Sequence, residues 1–413
     1  MKLLIVTQYF WPESFRINDL ASGLRERGHE VTVLTGYPNY PEGKLYPGYR
    51  LFSQPNEQWN GIKIIRAPLV PRGSGGALRL AANYLSFALG ASLCACTLGR
   101  EPFDALLVFQ PSPVTSGIPA RILKGMTGVP ILFWVQDLWP QSLAAVGAVR
   151  SPVLLGLVDR LVRWIYAGCD LVLIQSRAFA ETIHGQGVSK ERIAYFPNSA
   201  EAFYCPVDRK QAAELDRELP EGFRVMFAGN IGAAQDFETI LAAAEILKTH
   251  TQIVWVVIGE GRMRPWVEEE VERRGLSGRV TLLGRKPAEE MPRYFVWADL
   301  LLVTLRREPI FALTIPSKMQ SYLACARPVL AALDGEGAQV LEESGGGYSC
   351  QPEDPQALAE GVLRIYSLTE ADRQLMGNRG RNYYLQQFER ELLLDRLEGW
   401  LREISPARLA NKQ

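Results

Sequence analysis

Asp299-Leu-Leu-Leu-Val-Thr304, followed further along by Thr314-Ile-Pro-Ser-Lys-Met-Gln-Ser-Tyr-Leu-Ala-Cys-Ala-Arg-Pro-Val-Leu330, decides how this chain folds. The first run is apolar and short, as in a strand buried on both faces. A charged loop with Arg306, Arg307 and Glu308 separates it from the second run. There Pro316 suits the first turn of a helix and Ser317 adds a hydroxyl. Pro328 ends that helix, and Val329–Ala332 begins another buried strand. The unit is therefore strand–helix–strand, the grammar of a parallel α/β sheet. Lys318 stands just inside the helix start, where free backbone N–H groups and the helix dipole favour an anion. A phosphate receptacle and an ordinary βαβ unit with a solvated lysine both fit these residues.

The same alternation of apolar runs and amphipathic stretches extends in both directions. Strands are expected at Leu3–Thr7, Val31–Thr35, Ile62–Arg66, Ala105–Gln110, Ile131–Val135, Leu171–Gln175 and Ile193–Phe196. A second series begins with Arg224–Gly229 and continues through Ile253–Gly259, Val280–Leu283, Asp299–Thr304 and Val329–Ala332. Between them, Pro197-Asn198-Ser199 and the polar stretch to Glu221 read as a linker. A chain of 413 residues suits two domains with separate cores.

Composition narrows the function. Lys+Arg and Asp+Glu both number 45, so bulk charge argues against nucleic-acid binding. Met1–Thr7 is too short for a hydrophobic leader and reads as a first buried strand. Six scattered cysteines without a Cys-x-x-Cys point to free thiols in a reducing cytosol. Three unclustered histidines and no Asp-x-Asp make a dedicated metal site unexpected.

Several strand ends carry candidate chemistry. Phe227-Ala-Gly229-Asn230-Ile231-Gly232, with Gln235 and Asp236, joins a strand to a helix and lets backbone approach a ligand, though it also suits a tight turn. Gly259-Glu260-Gly261 is not a dinucleotide fingerprint, because Arg264 replaces the third glycine. After the first strand, Gln8–Leu20 places Arg16 and Asn18 near a helix start, where they could hold a phosphate or a sugar. Asn18 or Ser14 capping that helix is the alternative. Phe133–Pro140 ends a strand with Asp137, placed where a ligand would sit and able to orient or deprotonate a hydroxyl there, or to cap the next helix. His29 follows a helix-ending glycine and reads as architectural. Between Arg79 and Arg100 lie twenty uncharged residues. A spanning helix would split one sheet across a bilayer and is rejected. A helix partly facing lipid through Tyr84, Phe87 and Leu89, with Arg72 and Arg79 meeting headgroups and Arg160–Tyr166 adding a basic aromatic edge, stays open beside plain packing on the sheet.

Pro316-Ser-Lys318, Gln320–Ala324 and Arg327-Pro-Val329 resemble the donor-site helix of family 4 glycosyltransferases, in the branch that builds bacterial colanic acid and O-antigen and includes L-fucosamine transferases. Residues 7–20, 133–140 and 227–236 share the resemblance. It implies an α/β GT-B fold: two Rossmann-like domains facing a cleft, 1–198 for the acceptor and 199–385 for the nucleotide-sugar, with a C-terminal helix, 386–413, crossing back to the N-terminal domain. Most members carry two glutamates here; aligned on Ala324 and Pro328, those positions are Leu313 and Ser321. Lys318, Gln320 and Ser321 are the polar groups available instead. Gly229, Asn230 and Gly232 match the loop that cradles the donor diphosphate, with Asn230 and Gln235 where relatives place Arg and Lys. Lys318 is thereby the leading group to neutralise the diphosphate, with Arg306 or Arg307 second, and Arg285 lies in the stretch that contacts the base. The resemblance further implies a metal-independent, cofactor-free, retaining hexosyltransferase, peripheral at the cytoplasmic face of the membrane. It would move a UDP-activated N-acetylated 6-deoxyhexosamine to a polyprenyl-diphosphate-linked saccharide. A UDP-sugar 2-epimerase of the same architecture and a non-catalytic partner of another transferase are the rival readings.

Overall fold

A computed structural model of the protein describes residues 1–405 apart from 54, 74–75, 146–148 and 150, so 406–413 of the expected C-terminal helix lie outside the described residues. The chain divides into two compact units: Met1–Pro197 with the segment from Leu393 onward, and Asn198–Leu392.

The first unit is built on a sheet of eight strands: β1 Lys2–Val6, β2 Glu30–Gly36, β3 Asn56–Trp59, β4 Ile62–Ala67, β5 Ala105–Gln110, β6 Ile131–Val135, β7 Leu171–Ile174 and β8 Ile193–Tyr195. Their order is β3-β4-β2-β1-β5-β6-β7-β8. Every neighbouring pair is parallel except β3–β4. β3 was not expected from sequence. Its residues, Asn-Glu-Gln-Trp, are polar because it is an edge strand covered only in part. Leu393, Leu394, Leu397 and Leu401 of the helix Arg390–Ile404 pack into this sheet's core. Pairs of 2.6 Å from Arg27 to Asp395 and from His29 Nε2 to Glu398 fix the helix, which makes His29 an architectural residue.

The second unit carries six parallel strands: β9 Phe223–Ala228, β10 Ile253–Ile258, β11 Val280–Gly284, β12 Leu300–Thr304, β13 Val329–Ala332 and β14 Gly347–Cys350, in the order β11-β10-β9-β12-β13-β14. β9, β10 and β12 are buried throughout, which is why they read as unbroken apolar runs. The expected linker to Glu221 is instead largely part of this unit. Trp297 Nε1 donates to Ala212 O at 2.9 Å and Arg224 pairs with Asp216 at 2.8 Å, so its polar side chains are anchors.

Each sheet has one place where the chain reverses its direction of winding: between β1 and β5 in the first unit, and between β9 and β12 in the second. Loops leaving the carboxyl ends of such strand pairs diverge and leave room for a ligand. That rule selects Gln8 and Gln110 in one unit, and the segments after Ala228 and Thr304 in the other.

Candidate donor and acceptor sites

In the second unit β9 ends in Ala228, and Gly229 follows at φ +140°, where side chains are rarely tolerated. A Cβ there would lie 2.6 Å from Cε of Lys318, so glycine lets the lysine stem lie against the loop. Gly259 is packed as closely: its Cβ would meet Gly229 O at 1.8 Å. Gly229 N donates to Ile258 O at 2.9 Å and Ile231 N to Glu260 O at 2.8 Å, so the Gly-Glu-Gly turn buttresses the loop after β9. From the other side, Thr304 Oγ1 donates to Gln235 O at 2.5 Å and Arg306 N to Ala234 O at 2.9 Å. The loop is thus preorganised by both neighbouring strands.

The helix Ser317–Ala324 faces it. Tyr322 OH donates to Ala228 O at 3.1 Å and accepts from Ala228 N at 2.9 Å, locking the helix to the end of β9. Lys318 Nζ then lies 3.7 Å from the ring centroid of Phe227. No carboxylate or other hydrogen-bonding partner meets it among the described residues. Burial pushes its pKa down to about 7. The site holds a partly desolvated amine with no counter-charge beside it among the described residues.

The other expected donor residues divide. Asn230, Arg285 and Arg306 are exposed, and no side-chain partner holds them among the described residues. A Cβ on Gly232 would meet Asn230 Nδ2 at 2.5 Å. Arg307 is drawn away to Asp334 at 3.2 Å, which leaves Arg306 as the second cation. Gln320 and Ser321 are placed differently from the expectation. Gln320 is fully buried, and its properly oriented amide donates to Pro316 O and Ser317 O at 3.1 and 3.0 Å. Ser321 Oγ bonds back to Ser317 O at 3.4 Å. Both satisfy their own helix and do not open onto the loop. The supporting roles of Phe227 under Lys318 and of Tyr322 at Ala228 were missed, because an aromatic in a buried segment gives no sequence sign of what it holds in place.

At the carboxyl edge of the first sheet the chemistry differs. Gln8, Gln110, Gln136 and Gln175 follow or end β1, β5, β6 and β7, four adjacent strands. Gln8 donates to Asn83 Oδ1 at 2.6 Å, and its own Oε1 is buried without a partner. Gln110 is fully buried with neither Oε1 nor Nε2 satisfied, and the hydroxyls of Ser116 and Ser176 are likewise unpaired. Buried amides without partners are costly and demand a reason. The sequence shows the signal, a glutamine where each of these strands stops, but its meaning needs the strand order.

Arg16 is half-buried in the first turn of the helix Arg16–Glu26. Asn18 Nδ2 donates backward to Glu13 O at 2.7 Å, and Phe15 is the N-cap with no side-chain cap, so neither Asn18 nor Ser14 caps the helix. The loop curls instead around Glu13, whose Oε1 accepts from Asn39 N at 2.8 Å and Tyr40 N at 2.7 Å. Burial, only partly offset by those bonds, raises the Glu13 pKa to about 7. Asp137 accepts from Trp139 Nε1 at 3.2 Å and from Ser142 Oγ, so both oxygens serve its own loop. Burial still raises its pKa.

The helix Ala77–Leu98 carries the uncharged stretch after Arg79, and less than half of that stretch is buried. Tyr84 and Phe87, expected to face lipid, point into the unit; Leu78, Leu85, Leu89 and Leu93 are 63–90% exposed along the opposite side. Arg72 also departs from expectation: its guanidinium donates to Tyr9 OH at 3.1 Å and lies over Tyr40, 5.1 Å from the ring centroid.

Family models match both units: a glycosyl transferase 4-like domain over residues 14–199 and a group 1 glycosyl transferase domain over residues 222–367. The chain is 27% identical over 291 residues to the glycosyltransferase WbjE of Pseudomonas aeruginosa, covering 68% of this chain and 70% of that one. It is 23% identical over 389 residues to the colanic acid biosynthesis glycosyl transferase WcaI of Escherichia coli K12, covering 89% and 93%. The fold matches that of Anabaena HepE, solved with UDP, with a TM-score of 0.74 at 16% identity over 98% of this chain and 100% of that one. The chain therefore belongs to the GT-B glycosyltransferases of polysaccharide biosynthesis, with a family 4-type pair of domains resembling the colanic acid and O-antigen branch.

Proposed function

We propose that the second unit binds a UDP-activated sugar, favoured as an N-acetylated 6-deoxyhexosamine, and that the first unit binds a polyprenyl-diphosphate-linked saccharide. The observation that carries the donor half is Lys318: a partly desolvated amine with no carboxylate beside it among the described residues, at a helix start against the Gly229 loop. A diphosphate supplies the missing charge. As the C1–O bond to the β-phosphate breaks, negative charge grows on the leaving group, and a fixed ammonium stabilises it without a metal. Arg306 and the remaining amides of the loop add donors, and Arg285 is assigned to the base on the family resemblance. The acceptor oxygen forms the new C1 bond and passes its proton to the departing diphosphate oxygen, so that UDP leaves with the charge and proton accounted for. Retention of configuration is expected on the family resemblance alone. UDP titration calorimetry tests this: Lys318→Ala should lose about ten- to a hundred-fold in affinity, the worth of a charge-assisted hydrogen bond. Unchanged affinity would remove the reading.

On the acceptor side the unsatisfied glutamines and serines suit neutral hydroxyls, with Arg16 and Asn18 at the adjoining loop and Asp137 positioning the loop after β6. A lipid-linked acceptor stays in its bilayer, so the enzyme must dock at a membrane surface. The helices Ala77–Leu98, Gly117–Thr127 and Pro152–Ala167 pack side by side. They expose Leu85, Leu89, Leu93, Leu154, Leu157 and Trp164, with Arg79, Arg100 and Arg160 nearby in sequence. Leu85→Glu with Leu89→Glu should abolish flotation with anionic liposomes; flotation equal to the parent's rules this face out.

A further inference from the structure

The second unit has a cavity of about 340 Å³ at the other end of its sheet. Asp299 and Pro328 line it, and they immediately precede β12 and β13. It therefore opens at the amino ends of these strands, whereas Gly229 and Arg306 follow carboxyl ends. A five-residue strand, about 16 Å long, separates the two ends.

Arg327 is the group that gives this cavity a chemistry. The chain turns through a left-handed Ala326, φ +55°, beyond the helix Ser317–Ala324, and Arg327 follows. Its Nη2 donates to Ala298 O, its Nε is buried with no partner, and no carboxylate pairs with it among the described residues. The cavity also holds carboxylates, but each is already engaged. Glu370 pairs with Arg209 at 3.1 Å, Asp299 accepts from Arg224 N at 2.9 Å and faces Arg373 at 3.6 Å, and Asp208 accepts from Lys210 N at 2.8 Å. Among the described residues, Arg327 alone of the cavity's three arginines makes no direct ion pair, although Asp299 and Glu370 act on it through space. Burial, and then the nearby Arg209, lower its pKa to about 10, so it stays charged at neutral pH. The cavity wall also includes the first turn of the 18-residue helix Glu370–Gln387, where Glu370 and Asp372 already face the helix dipole. Gln374 and Asn378, one turn apart on that helix, are exposed and carry no hydrogen bond among the described residues.

We propose that this cavity is a second ligand site, separate from the donor loop, for a small organic oxyanion with a hydroxyl-bearing body, its charge on Arg327 and its hydroxyls on Gln374 and Asn378. The volume lies at the small end of ligand pockets, which suits a single phosphorylated or carboxylated sugar. Donor binding through Lys318 does not depend on it, so the two readings fail separately.

Thermal shift with glucose 1-phosphate, glucuronate, inorganic phosphate and glucose tests the proposal on the full chain. Both organic oxyanions should stabilise the protein, inorganic phosphate less and glucose not at all; the first two distinguish a phosphate from a carboxylate ligand. Arg327→Gln should weaken the better oxyanion roughly tenfold or more. Gln374→Ala with Asn378→Ala, both exposed changes, should weaken it several-fold and still matter if Arg327→Gln fails to fold. Lys318→Ala should leave the shift intact. No shift with any oxyanion, an undiminished shift in the amide double variant, or loss of the shift in Lys318→Ala would each overturn the proposal.

Discussion

The two sheets end in the same kind of edge and fill it with opposite chemistry. At the carboxyl edge of the second sheet, a lysine sits over Phe227 with no partner and its pKa lowered by burial. At that of the first, amides and hydroxyls lie unsatisfied, and the nearby carboxyls of Glu13 and Asp137 are raised by burial. One edge lacks an anion. The other lacks hydrogen-bond partners without a strong call for charge. Two similar folds are thus specialised by a few residues after each strand, not by their cores.

The largest effect expected from this contrast is the pH dependence of donor binding. Free Lys318 has a pKa of about 7, and a bound diphosphate must raise it, so binding takes up a proton above pH 7. UDP affinity should be level below pH 7 and fall as pH rises, by up to about tenfold per unit until the bound-state pKa is reached. Calorimetry in buffers of different ionisation enthalpy should register the proton uptake. Affinity that is flat from pH 6 to pH 9 would mean that Lys318 is already charged without ligand, and the contrast would lose its donor half.

A second effect has the opposite sign from ordinary mutational damage. Unfolded, Lys318 titrates at 10.5; folded, it titrates near 7. Below pH 7 both states are charged and the folded one carries the full desolvation cost. Between pH 7 and about 10.5 the unfolded state holds more protons, so this group makes stability rise with pH. Lys318→Met removes the charge while keeping most of the stem, and its lost cation–π attraction of about 0.5–2 kcal/mol offsets only part of the gain. The apparent Tm should rise below pH 7, by roughly 2–4 °C per kcal/mol, and the gain should vanish toward pH 10.5. A variant no more stable than the parent at pH 6 would show that the ammonium is adequately solvated.

The sequence revealed much of this arrangement, with limits set by periodicity. Buried parallel strands announce themselves as apolar runs, so all but the polar edge β3 and the short β14 could be read. Lys318 was legible because proline and strand fixed where its helix began. The direction of Gln320 and Ser321 was not, because Met319–Ala324 is buried throughout and offers no polar face to orient it. The helix Ala77–Leu98 fails the same way: Tyr84 and Phe87 inside and Leu85 and Leu89 outside are equally apolar. The glutamine row was visible residue by residue but became a row only through strand order.

Gln110→Ala tests the neutral edge. If its amide bonds an acceptor hydroxyl, KM for the acceptor should rise about three- to tenfold, the value of one or two neutral hydrogen bonds, with UDP affinity unchanged. Because no charge is involved, that loss should be insensitive to salt, unlike donor binding. An equal loss of donor affinity would show that the side chain supports the fold as a whole and does not read the acceptor.

The smallest effect is expected at Asp137, and it separates a positioning residue from a proton acceptor. Both carboxylate oxygens already accept hydrogen bonds, from Ser142 Oγ and Trp139 Nε1. Asparagine keeps one acceptor for Ser142 but turns an NH2 toward the indole N–H, which would then be unpaired. Stability should fall by about 1–3 kcal/mol, the cost of an unsatisfied buried donor. Turnover should stay within about threefold of the parent's, with any loss in acceptor KM, because only the loop carrying Gln136 is loosened. A general base behaves differently: its removal costs kcat about a hundredfold or more, and the acidic limb of the pH–rate profile disappears with it. A loss of that size at normal acceptor KM would place Asp137 in the chemistry and give the first unit a charged function that its glutamine edge does not provide.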